Sequence, residues 1–181
     1  MHRPLIEIRR AEPADASDLV ALATAVGNEP GEWLLTTDTW RSPADERRYL
    51  RTVRRHPDAA VFVALDGGRI VARLSVARDP HPASAHVADL GLVVAAAHRR
   101  RGIGRLLLDT AVTWARGTGI RKLELHVFPW NEPAIRLYET FGFVREGLRR
   151  RHYRRDDADV DALLMAYHLP SAPESPPSRA P

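Results

Sequence analysis

A glycine-bearing turn between an apolar run and an amphipathic run constrains this chain most. Residues 90–94 have the composition of a buried strand, and residues 106–114 have the spacing of an amphipathic helix. Residues 99–104 lie between these two runs and read Arg-Arg-Arg-Gly-Ile-Gly. The pattern predicts a strand, a tight turn and a helix, in the order that begins a βαβ unit.

The same turn predicts an anion-binding site. The first turn of a helix leaves backbone N–H groups unpaired and carries the positive end of the helix dipole. Gly102 and Gly104 let this backbone approach a ligand closely, and phosphate is the usual ligand there. A third glycine, as in Gly-x-Gly-x-x-Gly, is missing because Leu107 stands there, and no Gly-Lys-Ser/Thr ending follows. A pyrophosphate loop of another kind is therefore expected, and a turn without a ligand is the alternative.

Length and composition indicate one globular domain. The 181 residues are 44% hydrophobic and 28% charged, which suffices for a sizeable core. The absence of cysteine excludes disulfides, thiolate zinc sites and a cysteine nucleophile. No apolar run reaches the roughly 18 to 20 residues of a membrane span, and the first residues do not resemble a signal peptide. A cytoplasmic protein is expected.

The chain is basic, and its charge is mostly arginine. The net charge is +4 with a pI near 10.1, and lysine occurs once, at Lys122. The densest cluster, residues 149–155, reads Arg-Arg-Arg-His-Tyr-Arg-Arg. A solvated strand face is the favoured interpretation of this cluster, ahead of an acidic substrate or cofactor phosphate. Nucleic-acid binding ranks last, because acidic residues are spread among the basic ones.

Hydrophobic periodicity and turn residues predict the other elements. A strand over 5–9 precedes a helix from Pro13 and a second helix capped by Ser42. The turn at 66–68 joins a hairpin of strands 61–65 and 69–76. The later elements are strands at 86–94 and 121–128, a helix at 131–141, and strands at 144–153 and 160–168 around a turn at Asp156-Asp157. The domain spans 1–169, and the Pro/Ser-rich residues 170–181 are expected to form a disordered tail.

Two motifs in this order resemble the GNAT superfamily of acyl-coenzyme A-dependent N-acetyltransferases. The first is Arg99-x-x-Gly102-x-Gly104, and the second is Asn131-x-x-Ala134-Ile135-x-Leu137-Tyr138-x-x-x-Gly142-Phe143. The likeness is specific over residues 87–143 and weaker over 5–169. It implies an α/β fold with a central, mixed, twisted sheet of about seven strands flanked by about four helices. Strands 86–94 and 121–128 are expected to be a parallel pair that splays apart.

The resemblance implies that acetyl-coenzyme A is the cosubstrate, and no metal is expected. The loop amides would hold the pyrophosphate, and the preceding strand would pair with the amide-bearing pantetheine arm. A β-bulge near Gly91 to Val93 is expected to cause the splay, and a backbone N–H of this strand would polarise the thioester carbonyl. The implied cofactor-binding residues are Leu92, Val93, Val94, Arg99, Arg100, Arg101, Gly102, Ile103, Gly104, Arg105 and Asn131.

The resemblance also assigns catalytic roles. Tyr138 maps onto the tyrosine that protonates the departing thiolate, and a core position on its helix is the alternative. For the base that takes the amine proton, His126 is the first candidate and Asp89 the second. Glu124 is the third, and transfer through ordered water stays open.

The leading interpretation is an enzyme that moves acetyl to a primary amine of a free amino acid, polyamine or similar small molecule by direct attack. Alternatives are acetylation of protein N-termini or lysines, and a non-catalytic coenzyme A-binding module. Residues 27–41, with Trp33 and Trp40, are expected to form a lid or a cleft wall over the substrate. Neither nucleic acid nor membrane is expected as a partner, and a homodimer is left open.

Overall fold

The computed structural model describes residues 5–34, 41–155 and 157–170. Trp40, Asp156 of the expected turn, and residues 171–181 of the expected tail lie outside the described residues. The elements in chain order are β1 (Glu7–Arg10), α1 (Ala16–Gly27), α2 (Pro43–Arg55), β2 (Ala59–Asp66), β3 (Arg69–Arg78), β4 (Val87–Val94), α3 (Ile103–Gly117), β5 (Lys122–Val127), α4 (Glu132–Phe141), β6 (Val144–Arg155) and β7 (Ala158–His168). This order confirms the predicted one.

One mixed sheet organises the chain. Its seven strands lie in the order β1-β2-β3-β4-β5-β7-β6. β4 and β5 are parallel and are connected by α3, whereas the other neighbouring strands described here are antiparallel. The predicted βαβ unit therefore lies at the centre of the sheet, between two antiparallel halves.

The central parallel pair is short and then opens. Three residue pairs join β4 to β5, from Val87 with Lys122 to Asp89 with Glu124. Beyond them β4 stays paired with β3 as far as Val94, and β5 stays paired with β7 over its whole length. The predicted splay is confirmed, and among the described strands none pairs with residues 90–94 on their β5 side.

The predicted bulge near Gly91 to Val93 is wrong. Gly91 lies opposite Ser75, and the register of β3 and β4 continues without a shift from Ala88 to Val94. A Cβ at Gly91 would meet the Ser75 hydroxyl at 3.4 Å, which is ordinary contact. The strands diverge because each follows its own antiparallel neighbour, and a twisted sheet rotates successive strands relative to one another.

Helix signals in the sequence have the expected structural counterparts. The Ser42 side chain accepts a hydrogen bond from the Asp45 N–H at 3.1 Å, and Pro43 occupies the first position of α2. The buried residues of α3 recur at helical spacing and form one face of the helix, which includes Leu107, Leu108, Ala111 and Ala115. No helix in the three described ranges combines the length and apolar character needed to cross a bilayer.

Two apolar cores cover the two faces of the sheet. The larger core packs α3 and α4 against the sheet and includes Leu74, Leu90 and Leu123. The smaller core packs α1 and α2 against the opposite face and includes Leu19, Leu50 and Val63. Alternate residues of β4 and β5 point to opposite faces. The splay between these strands therefore connects the two sides of the sheet.

A buried ion pair ties α2 to β3. Glu46 is completely buried, with Oε1 at 3.4 Å from Arg73 Nη2 and Oε2 at 3.3 Å from Arg41 Nη1. Arg73 is itself buried and lies opposite Val93 in the sheet. A buried carboxylate needs such partners because desolvation of an unpaired charge is costly. Loss of one partner would therefore leave the other charge buried in the sheet face next to the splay, at a large cost in stability.

Candidate active site

The start of α3 presents unpaired backbone amides. Its first hydrogen bond runs from the Leu106 N–H to the Gly102 carbonyl at 3.1 Å, and no side chain caps this end. Within the described residues, the N–H groups of Ile103, Gly104 and Arg105 have no hydrogen-bond partner. These donors and the helix dipole favour an anion at this point.

The two glycines of the turn are required for different reasons. Gly102 has φ +83°, a left-handed conformation that glycine adopts readily. Gly104 is helical, but a Cβ there would lie 2.8 Å from Leu137 Cδ2 and 3.5 Å from Leu92 Cδ2. Gly104 therefore allows the first turn of α3 to pack closely against α4 and β4, in addition to leaving its amide accessible.

The three consecutive arginines have separate surroundings. Arg99 binds Glu29 through two hydrogen bonds of 2.6 and 2.7 Å and donates to the Val94 carbonyl at 3.1 Å. Arg101 forms an ion pair with Asp66 at 3.0 Å. Arg100 has φ +59° and makes no ion pair within the described part of the chain. Of the three guanidinium groups, that of Arg100 is therefore the one available to an added phosphate.

A cavity of about 670 Å³ extends from this turn along the open edge of β4. Of the eleven predicted cofactor-binding residues, ten line it, and the exception is Arg101. Asn131 lines it while its side chain caps α4, accepting from the Ala134 N–H at 3.3 Å. The structure thus brings the two sequence motifs together around one cavity.

Tyr138 lines the same cavity from α4. It is 6% exposed, and its ring packs against Phe143 with centroids 5.5 Å apart. Burial raises the pKa of the Tyr138 hydroxyl above its usual value, so the hydroxyl keeps its proton at neutral pH. Tyr138 therefore lies both in the hydrophobic core and in the cavity wall. The two alternatives from the sequence, a core position and a proton donor, are compatible.

Two carboxylates lie at the point where β4 and β5 separate. Asp89 and Glu124 are partners in the last residue pair of these strands, on the face that carries α1 and α2. Although Asp89 is accessible to solvent, the protein around it partly desolvates its carboxylate. This desolvation and the negative charge of Glu124 raise the pKa of Asp89 to about 6. Glu124 is held by Lys122 at 3.2 Å.

His126 follows Glu124 on the same face of β5, and none of Asp89, Glu124 and His126 is among the residues that line the cavity. The His126 Nδ1 lies 2.7 Å from the Tyr153 hydroxyl, and the His126 ring is edge-on to His152 with centroids 5.2 Å apart. Desolvation, together with the positive charges of Arg149 and His152, lowers the pKa of His126. One ring nitrogen is therefore engaged, and the imidazole is neutral at neutral pH.

An irregularity in β6 supplies the partners of His126. Arg149 pairs with Ala162 and Tyr153 pairs with Val160, so β6 contains two more residues than β7 over this stretch. At its centre Arg151 has φ +51°, and its N–H donates to Asp161 Oδ1 at 2.8 Å. The sequence does not indicate this β6 bulge, residues 150–152. The expected solvent exposure of this stretch is confirmed for residues 149–152 and for Arg154.

Three side chains from other parts of the chain bind residues 27–34, the described part of the predicted lid. Arg99 holds Glu29, the Trp130 indole N–H donates to the Gly31 carbonyl at 3.3 Å, and Arg155 contacts Glu32 at 3.1 Å. Trp33 and Leu34 line the cavity. The segment therefore forms a wall of the cavity, as one of the two sequence alternatives proposed.

Comparison with known proteins identifies the family. Residues 28–143 match the acetyltransferase (GNAT) family. The L-amino acid N-acetyltransferase AaaT of Escherichia coli (strain K12) is 32% identical over 128 residues, covering 68% of this chain and 76% of that protein. The N-alpha-acetyltransferase RimI of Mycobacterium tuberculosis is 37% identical over 125 residues, with coverages of 68% and 73%.

A solved GNAT-family acetyltransferase from Streptococcus pneumoniae superposes with a TM-score of 0.81 and 29% identity. The superposition covers 92% of this chain and 100% of that one. The fold thus agrees with the sequence match. The chain belongs to the GNAT family and is an acetyl-coenzyme A-dependent N-acetyltransferase.

Proposed function

We propose that this enzyme acetylates the primary amine of a small molecule, with free L-amino acids as the favoured class. The observation that carries the proposal is the splayed strand pair, which has unpaired α3 amides at one end and two carboxylates at the other. The similarity to an L-amino acid N-acetyltransferase supports this class. Cytoplasmic location and oligomeric state stay predictions.

The residues around the cavity fit the proposed cosubstrate. Acetyl-coenzyme A supplies an acetyl group activated as a thioester when it is bound. The free amides of Ile103, Gly104 and Arg105 suit its pyrophosphate. The unpaired backbone of residues 90–94 suits its amide-bearing arm, as an added strand would. A backbone N–H on this edge of β4 would polarise the thioester carbonyl.

Tyr138 is proposed as the general acid. When the amine nitrogen forms its bond to the acetyl carbon, the carbon–sulfur bond breaks and the sulfur leaves with the electron pair. The Tyr138 hydroxyl donates its proton to that sulfur. Burial raises the pKa of this hydroxyl, so the group is in the protonated form that the step requires.

Asp89 is proposed as the group that takes the amine proton, ahead of His126. A carboxyl with a pKa of about 6 is ionised at neutral pH and accepts a proton readily. Asp89 also lies at the junction of β4 and β5, whereas His126 lies farther along β5 with its Nδ1 engaged by Tyr153. His126 is the second candidate, and its Nε2 remains available for the same role.

A protein N-terminus is the second candidate acceptor, because the similar RimI protein is an N-alpha-acetyltransferase. The experiment measures release of the free coenzyme A thiol with a panel of L-amino acids, polyamines and N-terminal peptides. Turnover with amino acids and not with peptides is the expected result. Turnover confined to peptides would overturn the small-molecule proposal. Tight binding of acetyl-coenzyme A without turnover on any amine would indicate a non-catalytic module.

A further inference from the structure

The β6 bulge carries side chains toward the acceptor side of the sheet. We infer that Arg149, next to the bulge, is a carboxylate-binding residue that makes the enzyme select α-amino acids over amines without a carboxylate. The inference rests on the proposed function, since it concerns the acceptor of the same reaction. It adds a specificity-determining residue, on a strand that neither sequence motif includes.

The first step of the argument is the shape of β6. A bulge with a non-glycine residue at positive φ is unfavourable unless the surroundings hold it. Here the side chain of Asp161 on β7 holds the Arg151 N–H. Bulges that redirect side chains are frequent beside active sites. The redirected side chains are those of His152 and Tyr153, whose rings lie 5.2 and 5.9 Å from the ring of His126.

The second step is the charge of Arg149. Its Nη1 is 3.5 Å from His152 Nε2, and within the described ranges no carboxylate lies within ion-pair distance. Two other arginines of β6 differ, because Arg145 pairs with Glu139 and Arg155 pairs with Glu32. Within the described ranges Arg150, Arg151 and Arg154 also form no ion pair, but of these four arginines Arg149 alone contacts the ring of His152. Arg149 thus keeps a guanidinium fork unoccupied by an anion, and this fork matches a carboxylate with two parallel hydrogen bonds.

The third step is the position of this charge. Arg149 lies 3.5 Å from His152, and the His152 ring lies 5.2 Å from the ring of His126. In agreement with this position, the positive charge of Arg149 lowers the pKa of Asp89 and of His126. The acceptor face therefore has a negative end at Asp89 and Glu124 and a positive end at Arg149. An α-amino acid has the complementary charges on adjacent groups: the amine would face the carboxylates, and its carboxylate would face Arg149. A polyamine has no group for the positive end.

The test compares an L-amino acid that the enzyme acetylates with the amide of the same amino acid, which keeps the amine and loses the negative charge. The wild type is expected to prefer the acid. In Arg149→Gln the KM for the acid should rise about 10- to 100-fold, the size of a lost charge-assisted hydrogen bond. The kcat/KM for the amide should be nearly unchanged, and Arg149→Lys should restore part of the preference.

Arg154→Gln is the matched control, because Arg154 is exposed on the same strand beyond the bulge. It removes the same net charge and should leave the ratio of acid to amide at the wild-type value. The inference is overturned if the wild type treats acid and amide alike, if Arg149→Gln weakens both equally, or if Arg154→Gln has the same effect. Failure of the wild type to acetylate any amine would instead overturn the proposed function.

Discussion

The two ends of the splay are built in different ways. At the cofactor end, one short segment and one helix terminus provide groups that face the cavity, largely through backbone amides: of residues 99–105, all but Arg101 line it. At the acceptor end, the groups are side chains from three strands: Asp89 on β4, His126 on β5, and residues 149–153 on β6. The cofactor end is thus formed largely by one continuous segment, whereas the acceptor end is formed by residues that are distant in sequence and that strand pairing brings together.

This difference indicates at which end substitutions can change substrate selection while the fold is kept. Backbone amides at a helix terminus stay in place under most substitutions, so the cofactor end tolerates side-chain variation. The acceptor end depends on individual side chains and on the register of β6 with β7. Substitutions there should therefore alter substrate selection while leaving cofactor binding intact, and four predictions test this contrast in order of decreasing effect.

The largest effect is expected at the buried ion pair between Glu46 and Arg73, next to the splay. Glu46→Gln removes the carboxylate that Arg73 and Arg41 share, and breaking a buried pair typically costs about 3–5 kcal/mol of unfolding free energy. Urea denaturation measures the loss. The control Glu139→Gln breaks the exposed pair with Arg145 and should cost at most about 1 kcal/mol. Equal losses in both variants would contradict the structural role of Glu46.

The next effect separates chemistry from binding. Tyr138→Phe keeps the ring in the core but removes the proton donor, so kcat should fall about 10²-fold or more. The affinity for acetyl-coenzyme A, measured by calorimetry, should stay nearly constant because the aromatic packing is retained. Wild-type turnover in this variant would assign Tyr138 to the core alone.

The pH profile distinguishes the two candidate bases. If Asp89 accepts the amine proton, kcat/KM under limiting amine should rise with pH through an apparent pKa near 6, because the ionised carboxylate is the active form. Asp89→Asn should abolish this limb and lower the rate at neutral pH about 10- to 100-fold. His126→Ala should keep the limb.

The opposite pattern, with the limb lost in His126→Ala and kept in Asp89→Asn, would assign the proton to His126. A limb that survives in both variants would indicate proton loss through water. Circular dichroism of each variant checks that the fold is intact. The comparison of the two ends predicts further that neither variant changes the affinity for acetyl-coenzyme A.

The smallest effect concerns two glycines of the same helix. Gly102→Ala places a side chain at φ +83° and should cost about 1–2 kcal/mol of stability and weaken acetyl-coenzyme A binding. Gly117→Ala, in the last turn of α3, has open space around the new methyl group and should be neutral or stabilising by up to about 1 kcal/mol. Denaturation and calorimetry give both quantities. Equal changes in stability and in acetyl-coenzyme A affinity in the two variants would contradict the specific requirement for glycine at position 102.

The parts of the molecule that sequence predicted correctly depend on neighbours along the chain. The Ser42 cap, the hairpin turn and the strand–turn–helix around Gly102 each involve a few consecutive residues, so their physical causes are visible in the sequence. The parallel pairing of β4 and β5 followed from the handedness and length of one connection. The motif around Tyr138 is likewise a short continuous stretch, and the structure places this residue in the cavity wall, while its role as a proton donor stays a prediction.

The features that sequence did not predict depend on residues far apart along the chain. Arg99 lies close in sequence to the cavity, but its guanidinium binds Glu29, 70 positions away. The Glu46–Arg73 pair joins a helix to a strand in the same way. Gly91 predicts a bulge in β4, but the register of β4 with β3 has no shift, whereas β6 has a bulge at residues 150–152 that Asp161 on the next strand stabilises. No local pattern encodes such a partner.

The open edge of β4 also has a thermodynamic consequence. In the described part of the chain, the hydrogen-bond ladder of the sheet is interrupted beside residues 90–94, so a ligand that binds there as an added strand would restore continuity between the two antiparallel halves. Any ligand that binds only the folded state adds RT ln(1 + [L]/Kd) to its stability, about 2.7 kcal/mol at 100 times Kd. The melting temperature of this protein is then expected to rise with the concentration of coenzyme A around it.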